Sequence, residues 1–390
     1  MTITIGLEEL AAAPPARLKG QRLGLLCNQG STDRHLRQSR EVVGESFPGR
    51  LTCIFSPQHG FFADKQDNMV ESDHFVDGLT GLPIFSLYGE HRKPTAAMFD
   101  HLDVLLIDLQ DVGTRVYTFI YTMAYCLEAA AEFGKQVVVL DRPNPLGGEI
   151  VEGNLLTGDC RSFVGLYPLP MRHGLTIGEL ARLFNEHFGI GAELEVIPMR
   201  GWHRSTLFRD SGFPWVFPSP NMPTPETALV YPGQVIWEGT NVSEGRGTCL
   251  PFELWGAPFI EPERLLEVLD RRDLAGCVLR AAAFEPTSNK FRGEPCRGFQ
   301  LHIVDPAVYR PYRTSLALLR AVLELYGDRG FSYKEPPYEY EYERLPLDLI
   351  LGSGELRKAL EAGRPVSELE KGWRGELLEY ERLRREFMLY

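Results

Sequence analysis

Up to Pro145, five short polar bursts punctuate the chain, each directly behind an apolar run. They are Asn28-Gln29-Gly30, Ser56-Pro57-Gln58-His59-Gly60, Tyr88-Gly89-Glu90-His91-Arg92-Lys93, the stretch Asp108 to Tyr117 with Gln110, Asp111 and Arg115, and Asp141-Arg142-Pro143-Asn144. Carboxylates, amides, arginines and aromatic rings in one place suit a polyhydroxylated ligand, because carboxylates and amides fork onto hydroxyl pairs and ring faces cover sugar rings. Hydrolysis of a glycosidic bond asks for one protonated carboxyl to assist the leaving oxygen and a second group acting opposite it. Glu90, Asp108 and Asp111 are the candidates in the first half. Glu238 and Glu244, in the glycine-rich segment EGTNVSEGRGT, are placed to close over the cleft from the second half. A single aspartate at a strand end is commonly a helix cap or turn former. Polar groups behind five successive strands point instead to a cleft, since ligands of open α/β sheets bind outside the carboxyl ends of the strands.

Other chemistries lack their signatures. There is no G-x-G-x-x-G behind the first strand, no phosphate-binding G-x-x-x-x-G-K-[ST] loop and no metal-binding H-E-x-x-H. A G-x-S-x-G nucleophile elbow is also missing. Asp108, Asp111, His59 and Asp141 would hold a divalent ion only by converging, and no ligand spacing supports that, so neither metal nor cofactor is expected. The net charge of −12 supplies no basic face for phosphates, which argues against nucleic acid as a partner.

The elements that must position these residues are legible as well. RLGLLCN (22–28), LTCIFS (51–56), LPIFSLY (82–88), DVLLIDLQ (103–110), KQVVVLDR (135–142) and ELEVIPM (193–199) are apolar runs of strand length. The early ones are continuously apolar rather than alternating, as in a parallel sheet covered on both faces. Between the fourth and fifth, VYTFIYTMAYCLEAAAEFG has helix length and ends on Gly134, a C-cap. Thr176 and Glu179 form a capping-box pattern at the start of another helix. From 213 to 233, six prolines argue against regular helix or central strand and mark the change of domain. Strands near 278–284 and 298–304, a helix near 313–326 and two amphipathic helices in the last 38 residues follow. The expected fold is α/β: a Rossmann-like parallel-sheet domain over 1–222, then a smaller α+β domain over 223–390 that closes the cleft.

The seven cysteines, at 27, 53, 126, 160, 249, 277 and 296, are odd in number, and none is spaced C-x-x-C. Together with an N-terminus lacking a secretory pattern and no run of ~18–20 apolar residues, they predict a soluble cytoplasmic protein. The oligomeric state is left open.

Across essentially its whole length the chain resembles the DUF1343 family of exo-β-N-acetylmuramidases. CNQG (27–30), SPQHGF (56–61), SLYGEHRKPT (86–95), LQDVGTRVYT within 103–123, LDRPNPLGG (140–148), HGLTIGELA (173–181), PSPNMPT (218–224), YPG (231–233) and EGTNVSEGRGT (238–248) carry the resemblance. It implies a Rossmann-like domain and a smaller C-terminal one, a cleft between them, no nucleotide, and release of terminal N-acetylmuramic acid from the non-reducing end of peptidoglycan fragments. It places Asn28, His59, Gln110, Asp111 and Arg115 around the sugar, Asp141, Arg142 and Asn144 at its floor, and Ser219, Asn221, Glu238, Ser243 and Arg246 on the opposite wall. Tyr117 and Trp237 would cover the ring, and Arg115 or Arg246 would pair with the lactyl carboxylate. The common family pattern has glutamate, the favoured catalytic acid, where this chain has Gln58. An amide cannot give up that proton, so another carboxyl must substitute, with Glu90 first, or this branch has become a sugar-binding protein or a hydrolase of another substrate.

Overall fold

The computed structural model describes residues 2–390. Its centre is a seven-stranded sheet. The strands are β1 (Leu23–Leu26), β2 (Leu51–Ser56), β3 (Phe75–Val76), β4 (Pro83–Ser86), β5 (Val104–Ile107), β6 (Gln136–Leu140) and, after the small antiparallel pair β7 (Glu152–Leu155) and β8 (Pro170–Arg172), β9 (Glu193–Ile197). The order is β3-β4-β2-β1-β5-β6-β9, with every pairing parallel except β3 against β4. The chain leaves β1 toward one edge and returns to build β5, β6 and β9 on the other, so the topological switch lies between β1 and β5. The continuous apolar runs are explained by burial: every residue of β1 and β5 is buried. Helix Phe119–Phe133 covers the sheet and ends on Gly134 with a left-handed φ of 62°. The capping box at Thr176 is formed: the Glu179 amide donates to the Thr176 hydroxyl and the Thr176 amide to the Glu179 carboxylate.

The second half builds a three-stranded antiparallel sheet, with β12 (Cys296–Ile303) between β10 (Leu254–Ala257) and β11 (Cys277–Phe284). Around it stand helices Pro311–Tyr326, Pro346–Leu351, Gly354–Glu361 and Val366–Arg385. One expectation is corrected here: the proline-dense stretch contains a helix, Pro225–Gln234. Pro225 takes a first-turn position, where an amide has no intrahelical partner anyway, and the Thr224 hydroxyl caps the turn. Pro232 falls in the last turn, where little helix follows it. A Cβ on Gly233 would stand 2.0 Å from the Pro311 carbonyl, so only glycine lets this helix meet Pro311–Tyr326 so closely. Among the described residues no helix is long and apolar enough to cross a membrane.

Candidate active site

The crevice at the switch point is filled rather than open. Asp108, leaving β5, accepts hydrogen bonds of 2.5 and 2.8 Å from the Arg142 guanidinium behind β6, and both residues are buried. Asn28 donates to the Pro218 carbonyl, which draws the proline-rich strap 213–218 over the strand ends like a roof. Gln110 donates to the carbonyls of Asp111 and Pro143, and Asn144 bridges Leu175 and Leu146. Asp141 accepts from the Thr176 and Tyr390 hydroxyls and from the Arg142 and Gly178 amides. Only about 10 Å³ of cavity remains among these groups.

Several sequence expectations are therefore corrected. Asn28, Gln110, Asp141, Arg142 and Asn144 are the tied framework beneath the site, not groups presented to a ligand. Asp111 accepts from the Gly113 amide and lies 3.2 Å from His173. Arg115 is wholly buried and spends its guanidinium on the carbonyls of Asn154, Leu169 and Ile350, so it neither pairs with Asp111 nor reaches a substrate carboxylate. The Ser243 hydroxyl closes a local turn on the Gly245 amide. Trp237 stacks on Trp255 in the core, with centroids 4.7 Å apart. Glu90 stands outside the cleft, its side chain 85% exposed and 3.7 Å from His91.

A second pocket lies beside this filled crevice, between the loop behind β2 and the second half of the chain. Gln58 and His59 enter from that loop, Tyr117 and Thr118 from the start of helix Phe119–Phe133, and Ser219 and Asn221 from the residues just after the strap. Glu238, Arg246, Tyr338 and Glu339 complete it from the second half. The enclosed volume is about 30 Å³, room for a few waters only. Two hollows adjoin it. One, about 160 Å³, lies among Asp67, Asn68, Glu238, Arg246, Lys290 and Lys334. The other is an open groove of about 820 Å³ that meets the pocket at Asn221. A loop after β2 forms the cover: Asn68 donates to Glu238, Asn289 donates to Asp67, and the Gln66 carbonyl accepts from Asn221 and Arg246.

Two carboxyls face this pocket in contrasting surroundings. Glu238 accepts from Arg246 at 2.6 Å and from the Tyr338 hydroxyl at 2.7 Å. Burial alone would raise its carboxyl, but the Arg246 charge and hydrogen bond, with that of Tyr338, more than offset this and hold it below the usual glutamate range. Glu339 accepts from the Gln58 amide at 2.8 Å and the Tyr88 hydroxyl at 2.7 Å. Burial pushes its carboxyl up. Those two hydrogen bonds pull back in part, and the charge of Glu238 adds to the rise. His59 is driven down to about 4 by burial, with the Lys65 carbonyl opposing and the Arg246 charge assisting, so its ring is neutral near pH 7. Its Nδ1 donates to that carbonyl at 2.7 Å.

Of the expected residues, Gln58, His59, Tyr117, Ser219, Asn221, Glu238 and Arg246 do come together. Asn68, Tyr88, Tyr338 and Glu339 were missed. The signal available for the last two was the run PPYEYEYERLP, aromatic and acidic residues alternating behind two prolines in a stretch without helical period. Functional groups are concentrated on such loops.

A Rossmann-like sheet with a helix-rich half folded over a carboxylate-bearing pocket defines a two-part α/β protein whose site carries the groups that glycosidic-bond hydrolysis needs. The chain belongs to the exo-β-N-acetylmuramidase NamZ family: the profile of its N-terminal part matches residues 23–226 and that of its C-terminal part residues 229–390. It is 42% identical over 389 residues to the peptidoglycan β-N-acetylmuramidase NamZ of Bacillus subtilis, covering all of this chain and 91% of that protein. Two crystal structures of DUF1343 family proteins from Bacteroides fragilis resemble it over the whole chain and 99% of theirs. One has a TM-score of 0.88 at 33% identity and the other 0.79 at 28%.

Proposed function

We propose that this chain hydrolyses the glycosidic bond of a terminal N-acetylmuramic acid at the non-reducing end of peptidoglycan fragments. The supporting observation is the pocket itself: two buried carboxyls, Glu238 pushed toward its charged form by Arg246 and Glu339 toward its neutral form by burial, in a chain 42% identical to a peptidoglycan β-N-acetylmuramidase. The covered pocket takes the terminal sugar, and the open groove meeting it at Asn221 takes the rest of the glycan. The hollow bearing Arg246, Lys290 and Lys334 takes the lactyl carboxylate. Residues 1–222 form the Rossmann-like catalytic half, and 223–390 close over it and complete the site with Glu238, Arg246 and Glu339. The protein works on fragments recovered into the cytoplasm, where its seven unpaired cysteines stay reduced. The test is chromatography of peptidoglycan glycan digests. Free N-acetylmuramic acid should appear one residue at a time, whereas internal oligosaccharides would refute exo action.

The second reading, a binding protein on a former enzyme, is favoured by Gln58, which has no acidic proton to give. Calorimetry showing sugar binding with no product released would establish it.

A further inference from the structure

The pocket leaves open which group protonates the departing oxygen. Gln58 is an amide, and Glu238 is held as a carboxylate by Arg246. Glu90 lies in solvent. His59 is neutral, with its Nδ1 proton committed to the Lys65 carbonyl. Resting on the glycosidase reading above, we infer that Glu339 is the catalytic acid, with Gln58 and Tyr88 as its positioning residues.

The hydrogen bonds assign the proton. The Thr118 hydroxyl donates to Gln58 Oε1, which turns the Gln58 amide nitrogen toward Glu339. An amide NH₂ only donates, so Glu339 Oε1 is fixed as an acceptor and the carboxyl proton belongs on Oε2. That oxygen lies 2.7 Å from the Tyr88 hydroxyl, which also accepts from the Met69 amide at 2.8 Å. Tyr88 can share the proton while Glu339 is neutral and donate to the carboxylate once the proton has gone. No cation pairs with Glu339 among the described residues, whereas Glu238 has Arg246, and burial favours the neutral form of Glu339.

The backbone adds an independent sign. Glu339 has φ 48° and Tyr340 φ 64°, a left-handed conformation that non-glycine residues rarely adopt. Strain of this kind persists where the surroundings over-determine it, as at active sites, and here it sets the carboxyl of a pocket-lining residue against Gln58 and Tyr88.

In the step itself, Glu339 Oε2 gives its proton to the glycosidic oxygen as the anomeric C–O bond breaks. The bonding electron pair leaves on that oxygen, so the remaining glycan departs as a neutral alcohol. Water adds its oxygen to the anomeric carbon, and the proton it sheds reloads Glu339. Atoms and charge balance with water as the sole co-reactant.

The experiment compares two substrates on wild type, Glu339→Gln and the exchanged pair Gln58→Glu/Glu339→Gln. N-Acetylmuramyl-β-1,4-N-acetylglucosamine has a poor leaving group, while a 4-nitrophenyl N-acetyl-β-muramide has one that departs without a proton. Glu339→Gln should lose about 10²–10⁴-fold on the disaccharide and far less on the nitrophenyl glycoside. The alkaline limb of its nitrophenyl pH profile should vanish, and the exchanged pair should recover part of the disaccharide rate. Equal losses on both substrates, or no loss, overturn the assignment. Glu339→Asp, read the same way, decides the matter if the glutamine variant does not fold. Should wild type cleave only the corresponding N-acetylglucosaminides, the muramic acid reading fails while the leaving-group ratio still judges Glu339. Wild type inert on all of them overturns both.

Discussion

Arg246 has three acceptors of its own, Glu238 at 2.6 Å, Glu244 at 3.2 Å and the Gln66 carbonyl at 3.1 Å, and all three charged residues are buried. Removing one partner of a buried charge cluster leaves the others without compensation, typically a cost of about 3–5 kcal/mol. Arg246→Met should therefore lower stability by about that amount in urea unfolding and abolish turnover, and a loss below about 1 kcal/mol would show the cluster to be solvated. His59 carries a pH signature. Its folded pKa of about 4 lies below the ordinary histidine value, so the unfolded chain binds more protons between about pH 6.5 and 4. The stability it contributes is complete above that window and is lost as pH falls through it, on the order of 3 kcal/mol. His59→Asn keeps a residue that tolerates the local φ of 71° and should flatten this part of the stability profile; an unchanged slope would place the titration elsewhere. Lys334 lies over the Tyr338 ring on the wall of the 160 Å³ hollow. If it meets the lactyl carboxylate, Lys334→Ala raises KM for a muramide about tenfold and leaves that for a glucosaminide unchanged, as steady-state kinetics would show.

At the scale of elements, the loop after β2 decides access. A pocket of about 30 Å³ cannot admit a sugar until this loop lifts, and its ties to the second half are side-chain and carbonyl hydrogen bonds that can break singly. Asp67 and Asn289 meet at 2.8 Å across the gap. An oxidised Asp67→Cys/Asn289→Cys variant should lose turnover and regain it with dithiothreitol; full activity in the cross-linked form would mean that substrate enters by another route. The proline-rich strap acts oppositely. It binds to the ends of β1 through Asn28 and Gln29 and so converts the classical switch-point crevice into packed framework.

Over the whole molecule, the two halves share one apolar core that runs from Leu26 to Phe387. Arg115 from the first half binds the Ile350 carbonyl of the second, and a Cβ on Gly352 would stand 2.6 Å from that guanidinium. Arg384, in the last helix, donates back to the carbonyls of Gly148 and Gly174, and the Tyr380 hydroxyl to that of His173. The boundary near residue 222 is thus not a place where few contacts cross. Near- and far-ultraviolet circular dichroism should report one coincident unfolding transition, and two separated transitions would show the halves to be independent folding units.

The sequence by itself determined the strands of the parallel sheet, the capping of helices at Thr176 and Gly134 and the family, because burial pattern, cap chemistry and motif are properties of neighbouring residues. Only the tertiary structure decided which polar groups are spent and which are presented. Asp108 and Arg142, or Arg115 and three carbonyls, satisfy one another across long stretches of chain, and no local spacing reveals it. Likewise Glu339 lies 281 positions from Gln58, and its meeting with that amide depends on the second half folding back over the sheet.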